Sequence, residues 1–406
     1  MIHAAPASLR EFAAAFAPAL APEPCRLHGE WVAAAHLRDY VPAWRESHLR
    51  WCGGDLQANP EWCLALNEVY PGAVRLIVLR DGGSIVAAIP MLLRRTEMDC
   101  QLGELRVLRF RPRVLLPAGA TLALPPGEAA FRAFCRALDQ YRGEFDVLRI
   151  SDSVASPLWP ALASAAFARL GLRRYEPEPP TPHHLIRMPK TMTEYLSKFT
   201  SKTRKNRLRE VKHLEEQGTV ELRCVSRLEE IDSFLELANG ISRSSYQHRL
   251  LGVGLRAPAQ LRRRLEVAAI QGWLRSYLLL VNHVACSFML GYQYEGCYCY
   301  TKVGYAPEFA KFSVGSVLQL MVLQDLFNRD TPELFDLGTH GPQKQYFGND
   351  QYDARSAFFF SPGLYPWAVR NAQRGSRWLS ASAGAALESW NLKPKVQRLI
   401  RQITAS

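Results

Sequence analysis

The sequence predicts an α/β protein of two tandem halves, each a mixed, largely antiparallel sheet flanked by helices. Three observations carry that expectation. Leu274–Val281, Ala285–Tyr294 and Cys297–Val303 are apolar runs separated by Asn282-His283 and Glu295-Gly296, the pattern of an antiparallel meander. The third run empties through Gly304–Ser316 into apolar positions at helical spacing, then into a strand at Leu334–Gly338. Pieces of the same arrangement recur about two hundred residues earlier, in the same order, which points to an internal duplication.

Taken in order, the first half opens with a Trp-rich, broken helical stretch, Trp31 to Tyr70, with Asn59 capping a helix whose first turn holds Pro60. Val74–Leu79 reads as a strand, Asp81-Gly82-Gly83 as a hairpin turn and Ile85–Leu93 as the returning strand. Leu105–Phe110 is the expected third strand. A Pro/Gly-rich loop (Pro117–Gly127), a helix from Glu128 to Tyr141 and a strand at Phe145–Ile150 follow. Prolines 177, 179, 180 and 182 mark a boundary, because they can continue neither a helix nor a central strand.

The 406-residue length allows two or three domains, and 48% apolar residues suffice for their cores. No run of 18 apolar residues suggests a membrane span. The Ala-rich leader Met1–Cys25 lacks a basic start and is broken by Glu11 and Pro18, so a secretory signal is not expected. Nine scattered cysteines fit reduced, buried thiols in the cytosol. Cys286, Cys297 and Cys299 lack a fourth ligand and turn-type spacing, so core packing is favoured over a metal site.

A net charge of +12 favours anionic partners, and the charge is concentrated in two places. One is a helical stretch expected from Thr193 to an αL stop at Gly218. There Lys202, Lys205, Arg209 and Lys212 share a face, with Leu208, Val211 and Leu214 on another. That strip either holds an anionic cofactor or acceptor, or is a solvated face. The other is the tail beyond Pro366, where seven Lys and Arg residues interleave with Trp367, Trp378 and Trp390 against the single acid Glu388. Its helices either pack on the body of the protein or lie on an anionic membrane.

Strand, Ser/Gly turn, helix, strand is the order in which a chain builds an anion cradle, because free amides and the positive end of the helix dipole meet at the helix start. Ser201-Lys202-Thr203-Arg204-Lys205-Asn206, Tyr305-Ala306-Pro307, Ser313-Val314-Gly315-Ser316, Phe335-Asp336-Leu337-Gly338 and Lys344-Gln345-Tyr346-Phe347 together resemble the GNAT-type acyltransferases. More narrowly they are similar to the bacterial CelD/BcsL branch, distant relatives of the Fem peptidyltransferases. The sequence departs from the common GNAT phosphate loop in holding Ala310 and Ser313 where Gln or Arg and then Gly would stand.

The resemblance implies two tandem GNAT-like domains: residues 1–180, expected to be non-catalytic; residues 181–362, the acyltransferase; and a basic helical tail, 363–406. It implies acetyl-CoA or another acyl-CoA as donor, with its phosphates at Ser313, Val314, Gly315 and Ser316. Val303 would lie beside the thioester, and Lys311 and Lys344 would steady the donor. No metal is expected. His340 is the first candidate base, because an imidazole titrates near neutral pH, and Asp336 is the alternative. Tyr346 and Tyr305 are candidate acids towards the leaving thiolate; Lys202, Lys205 and Arg209 are candidates for binding substrate.

The function expected is transfer of an acyl group, acetyl first among them, to an amine or hydroxyl of a small-molecule or saccharide acceptor. Polysaccharide, other envelope-related or secondary-metabolite synthesis is the implied setting. The location expected is cytoplasmic, or peripheral at the inner membrane face. Two alternatives stay open: a Fem-like transferase using aminoacyl-tRNA, the one case in which nucleic acid would be a partner, and a non-catalytic scaffold of a synthase complex. Serine-hydrolase elbows, P-loops and H-E-x-x-H motifs are absent from the sequence.

Overall fold

The structure is a computed structural model that describes residues 27–102, 105–244, 258–339 and 341–389. It divides into two compact units: one is residues 1–180 with 354–406, the other residues 181–353.

In the first unit, β1 (Leu27–Val32) leads through a 3₁₀ turn to α1 (Val41–Trp51) and α2 (Pro60–Val69). The Asn59 side chain accepts from the Trp62 amide at 3.1 Å and Pro60 opens α2, as the local sequence predicts. Then come the hairpin of β2 (Val74–Asp81) and β3 (Ser84–Arg95), a separate ribbon of β4 (Met98–Leu102) and β5 (Leu105–Phe110), and β6 (Arg113–Pro117). After α3 (Glu128–Gln140) and β7 (Val147–Ser153) come two single-turn helices, α4 (Leu158–Ala161) and α5 (Ala165–Ala168), and β8 (Arg173–Tyr175). The sheet runs β1-β2-β3-β6-β7, and β7 pairs antiparallel with residues 354–360 of a late strand. β6 and β7 are parallel, with α3 between them in sequence. One sheet face packs Ile77, Leu79, Leu115 and Leu148 against Phe131 and Phe134 of α3. The other packs Leu76 and Val78 on Trp44 of α1.

One expectation needs correcting here. Leu105–Phe110 is a strand, but it pairs with β4 in the separate ribbon, and the strand that follows the hairpin in the main sheet is Arg113–Pro117. Arg109 bridges Asp99 at 2.8 Å and Arg111 bridges Glu97 at 2.6 Å, cross-strand and flanking pairs that a reading by hydropathy does not weigh.

The second unit begins with β9 (Thr181–Arg187), then α6 (Met192–Ser197), α7 (Ser201–Glu215), β10 (Val220–Val225), α8 (Ile231–Ser244) and α9 (Pro258–Ile270). The meander is β11 (Ser276–Val281), β12 (Val284–Tyr294) and β13 (Cys297–Tyr305). Asn282, His283, Glu295 and Gly296 all have positive φ, the geometry of hairpin turns matched to strand twist. The connection Ala306–Ser313 leads to α10 (Val314–Arg329), β14 (Leu334–Thr339), α11 (Pro342–Phe347) and β15 (Asp350–Phe360). Within this unit the strand order is β9-β14-β13-β12-β11-β10, antiparallel except where β13 meets β14. Hairpin, strand, helix, parallel strand is thus the plan of both units. The first unit's last helix, α12 (Leu364–Ser389), follows β15.

The helical stretch expected from Thr193 to Gly218 is two helices, not one. Thr200 interrupts it by accepting the Thr203 amide at 3.2 Å as an N-cap. Of the three apolar residues expected to share a face of α7, Leu208 is 48% exposed, Val211 half-buried and Leu214 fully buried. Gly218 has φ +143°, outside the αL region, and a Cβ there would collide with the Asn282 side chain that caps the turn. Strands β9, β10 and β15 are not foreseen from the sequence. Residues 354–360, expected in the second unit, pair with β7 in the first.

Candidate active site

The second unit contains one break in its sheet. β13 and β14 pair in parallel only at Cys297↔Leu334, Tyr298↔Phe335 and Cys299↔Asp336. β13 then runs on to Tyr305 with β12 on its other side, so its free edge from Tyr300 onward is unpaired on the β14 side. Thr301, Lys302 and Val303 are exposed there. Extended backbone with unpaired amides beside a helix start can hold a developing oxyanion or the amides of an extended ligand.

Downstream of that edge lies the connection to α10. Ser313 is left-handed (φ 54°, ψ 35°), which turns the chain sharply into the helix. The Ser313 amide donates to Ala310 O at 3.1 Å and the Ser316 amide to Ser313 O at 2.8 Å. Val314 and Gly315 are the first two residues of α10, where backbone amides have no partner within the helix itself. The Ser316 and Val314 side chains are buried, and Ser313 is exposed. A Cβ on Gly315 would meet only the Tyr305 ring, at 3.8 Å, so Tyr305 lies against the cradle. The Lys311 ammonium sits 4.8 Å from the Phe312 ring centroid.

The fork itself holds a cluster. Phe335 and Leu337 are in the core shared with α10, so strand alternation sends Asp336 to the opposite face. Asp336 Oδ1 accepts from His183 Nε2 at 2.6 Å and from the Gly338 amide at 2.7 Å. The His183 ring stacks on Tyr352 with centroids 4.7 Å apart. Lys344 Nζ donates to Thr339 O at 2.7 Å and lies 5.5 Å from the Tyr300 ring centroid. Burial lowers the Lys344 pKa, and Asp336 raises it in part. Burial and the Asp336 charge push Tyr300 up to about 12.

α11, which carries Lys344 and Tyr346, is anchored at its C-terminal end. Tyr195 Oη donates to Phe347 O at 2.8 Å and Lys198 Nζ to the same oxygen at 2.6 Å and to Gly348 O. Burial lowers Lys198 to about 8. Tyr346 itself is 61% exposed. The face opposite α10 also bears a cavity of about 670 Å³, lined by Glu236, Asn239 and Arg243 of α8 with His283, Ala306 and Glu308.

The structure thus brings Asp336 together with Lys344, and Tyr305 together with Gly315. Lys202, Lys205 and Arg209 are exposed on α7, which packs on α10 and the Pro307–Phe312 turn. Arg209 donates to Asn206 Oδ1 at 2.6 Å. His340 lies outside the described residues. His183 and Lys198 were missed by sequence reasoning. The adjacent His183-His184 after a proline-rich break was the available signal, but its partner is 153 residues away. Lys198 carries no local signal.

Residues 201–353 match the family model described as Acetyltransferase (GNAT) domain. No curated protein matches the chain. Among solved structures, FemX is 11% identical with a TM-score of 0.53, over 82% of this chain and 97% of that one. The tandem GNAT protein from the clavulanic acid biosynthesis pathway is 14% identical, over 83% and 99%, with a TM-score of 0.48. L-PGS from Bacillus licheniformis is 14% identical, over 85% and 98%, with a TM-score of 0.45. The family match, the likeness to FemX and the shared plan of the two units give the fold as tandem GNAT-like domains, α/β with mixed, largely antiparallel sheets. The family match lies within the second unit.

Proposed function

We propose that the second unit transfers an acyl group, acetyl in the first instance, from an acyl-CoA to an amine or hydroxyl of a small polar or saccharide acceptor. The observation that carries this reading is the parting of β13 from β14 after three residue pairs, directly upstream of the helix start at Val314 and Gly315. A pantetheine arm fits beside an unpaired strand edge through amide hydrogen bonds, and a diphosphate fits the amides and dipole at a helix start. Lys311 and the exposed cations of α7 are suited to the remaining phosphate charge.

In this reading the thioester lies beside Val303, whose neighbouring amides polarise its carbonyl. The acceptor enters from the face opposite α10, where the cavity bearing Glu236, Arg243 and His283 suits a polar molecule. Its proton passes to the His183–Asp336 pair. Asp336 orients the imidazole and stabilises its cationic form, so His183 is the base and Asp336 its positioning partner. His340 remains the alternative base. Lys344, Tyr305 or Tyr346 would return a proton to the departing thiolate. The first unit then serves as a non-catalytic companion, and envelope-polysaccharide or secondary-metabolite synthesis of the CelD/BcsL kind is the setting.

Calorimetry of the full chain with acetyl-CoA, a longer acyl-CoA and aminoacyl-tRNA tests the donor. Gly315→Asp places a carboxylate at the cradle where a Cβ has room, and should weaken acyl-CoA binding at least about tenfold without unfolding. Binding of charged tRNA but no acyl-CoA would replace this reading with the Fem-like one, and binding of neither would favour the scaffold.

A further inference from the structure

The first unit has a cavity of its own, about 230 Å³, on the sheet face opposite α3 and beneath α12. Leu116 and Phe358 give it an apolar wall, and Arg94, Arg149, Tyr175 and Thr96 give it a polar one. Three polar atoms of that wall, Arg149 Nε, the Tyr175 hydroxyl and Thr96 Oγ1, are buried and have no hydrogen-bond partner. Buried donors are nearly always satisfied, so three orphans around one small cavity call for an acceptor.

The charges around the cavity say which kind. Its acids are committed elsewhere: Glu97 to Arg109 and Arg111, and Asp99 to Arg106 and Arg109. Arg377, which also lines it, is paired with Glu178 at 3.1 Å. Arg94 and Arg149 have no ion pair among the described residues. Burial and the neighbouring Arg94 charge lower the Arg149 pKa, and Glu178 raises it in part. The Arg149 guanidinium lies 5.6 Å from the Phe358 ring centroid. On α12, Arg370 Nε is likewise buried without a partner.

We propose that this cavity binds a small phosphate-bearing molecule, its phosphate on Arg94, Arg149, Tyr175 and Thr96 and its carbon stem against Leu116 and Phe358. Guanidinium forks and hydroxyls together offer the donors that a phosphate's oxygens accept. The volume is that of about eight liquid waters, enough for a phosphate ester with a short carbon chain. The site is separate from the coenzyme cradle proposed above, which lies wholly in the second unit.

The test is thermal unfolding and calorimetry of the full chain with inorganic phosphate, glycerol phosphate and succinate, each against chloride at equal ionic strength. Both phosphates should raise the midpoint by about 2–4 °C at a concentration well above their dissociation constant. Arg94→Gln and Arg149→Gln should each weaken binding at least about tenfold, whereas Gly315→Asp should keep the shift. Should Arg149→Gln fail to fold, Arg94→Gln and Tyr175→Phe carry the test, with Tyr175→Phe losing a few-fold in affinity. Phosphate shifts equal in the wild type and the arginine variants, or lost in Gly315→Asp, would overturn the proposal. So would tighter binding of succinate than of phosphate.

Discussion

At the scale of single residues, the acyltransfer reading turns on a carboxylate that already accepts two hydrogen bonds, from His183 Nε2 and from the Gly338 amide. A carboxylate so engaged is placed to hold an imidazole in one orientation. Asp336→Asn keeps the shape of the side chain and removes the charge that favours an imidazolium. With an acyl-CoA and a responsive acceptor, we expect kcat to fall about 10²-fold, KM to change little, and the acidic limb of the pH profile to move to lower pH. An unchanged kcat would remove the pair from the mechanism and return the role to His340. The motif Phe335-Asp336-Leu337-Gly338 was legible as a strand end, and Asp336 was legible as a candidate. His183 was not, because nothing in a local window reveals which side chain a histidine will meet 153 residues on.

At the scale of elements, the positions at strand and helix ends decide how the cluster is held. Gly338 lies at φ +75°, and a Cβ there would stand 3.2 Å from Lys344 Nζ. It is both the residue whose amide fixes Asp336 and the gap through which Lys344 reaches Thr339 O. Gly338→Ala should therefore cost about 1–3 kcal/mol in denaturant unfolding, from backbone strain alone. Gly315→Ala has room and an ordinary φ, and should be nearly neutral. A loss no larger for Gly338→Ala than for Gly315→Ala would mean that the strand end relaxes freely. The hairpins were readable because their turns are two-residue pauses between apolar runs. The break at Thr200 was not, since the residues on both sides have helical character and only the capping hydrogen bond separates them. The strand at Arg113–Pro117 was masked by Pro112 just before it and Pro117 at its end.

At the scale of the whole molecule, α12 is the element whose role is most open to test. It is held to the first unit by Gln373 Nε2 donating to Asp99 O at 2.9 Å and by buried Val369. Yet Trp367 is 57% and Trp378 68% exposed. Eleven residues apart, about three helical turns, they fall on one side of the helix. Packing on the body and exposure of the indoles therefore coexist, whereas the sequence had posed them as alternatives. A peripheral contact with an anionic membrane remains our proposal for that face. The full chain should co-sediment with vesicles containing anionic lipid, and Trp367→Ala with Trp378→Ala should reduce binding about tenfold or more. Binding unchanged by the double substitution would assign the charge to another role. Trp390 and the basic residues from Lys393 to Arg401 lie outside the described residues. Among the described residues no helix is long and apolar enough to cross a membrane.

Periodicity, turn residues and caps act over a few neighbours, so the sequence by itself determined the α/β class, the hairpins of both halves and a helix after each Gly-containing loop. Only the tertiary structure decided that β13 leaves β14 after Asp336, that His183 meets that carboxylate, and that Arg94 and Arg149 share a cavity whose acids pair with other arginines. Those facts depend on which distant strands become neighbours. Such pairings are settled by burying whole faces at once, a property of the folded chain that no short stretch of it records.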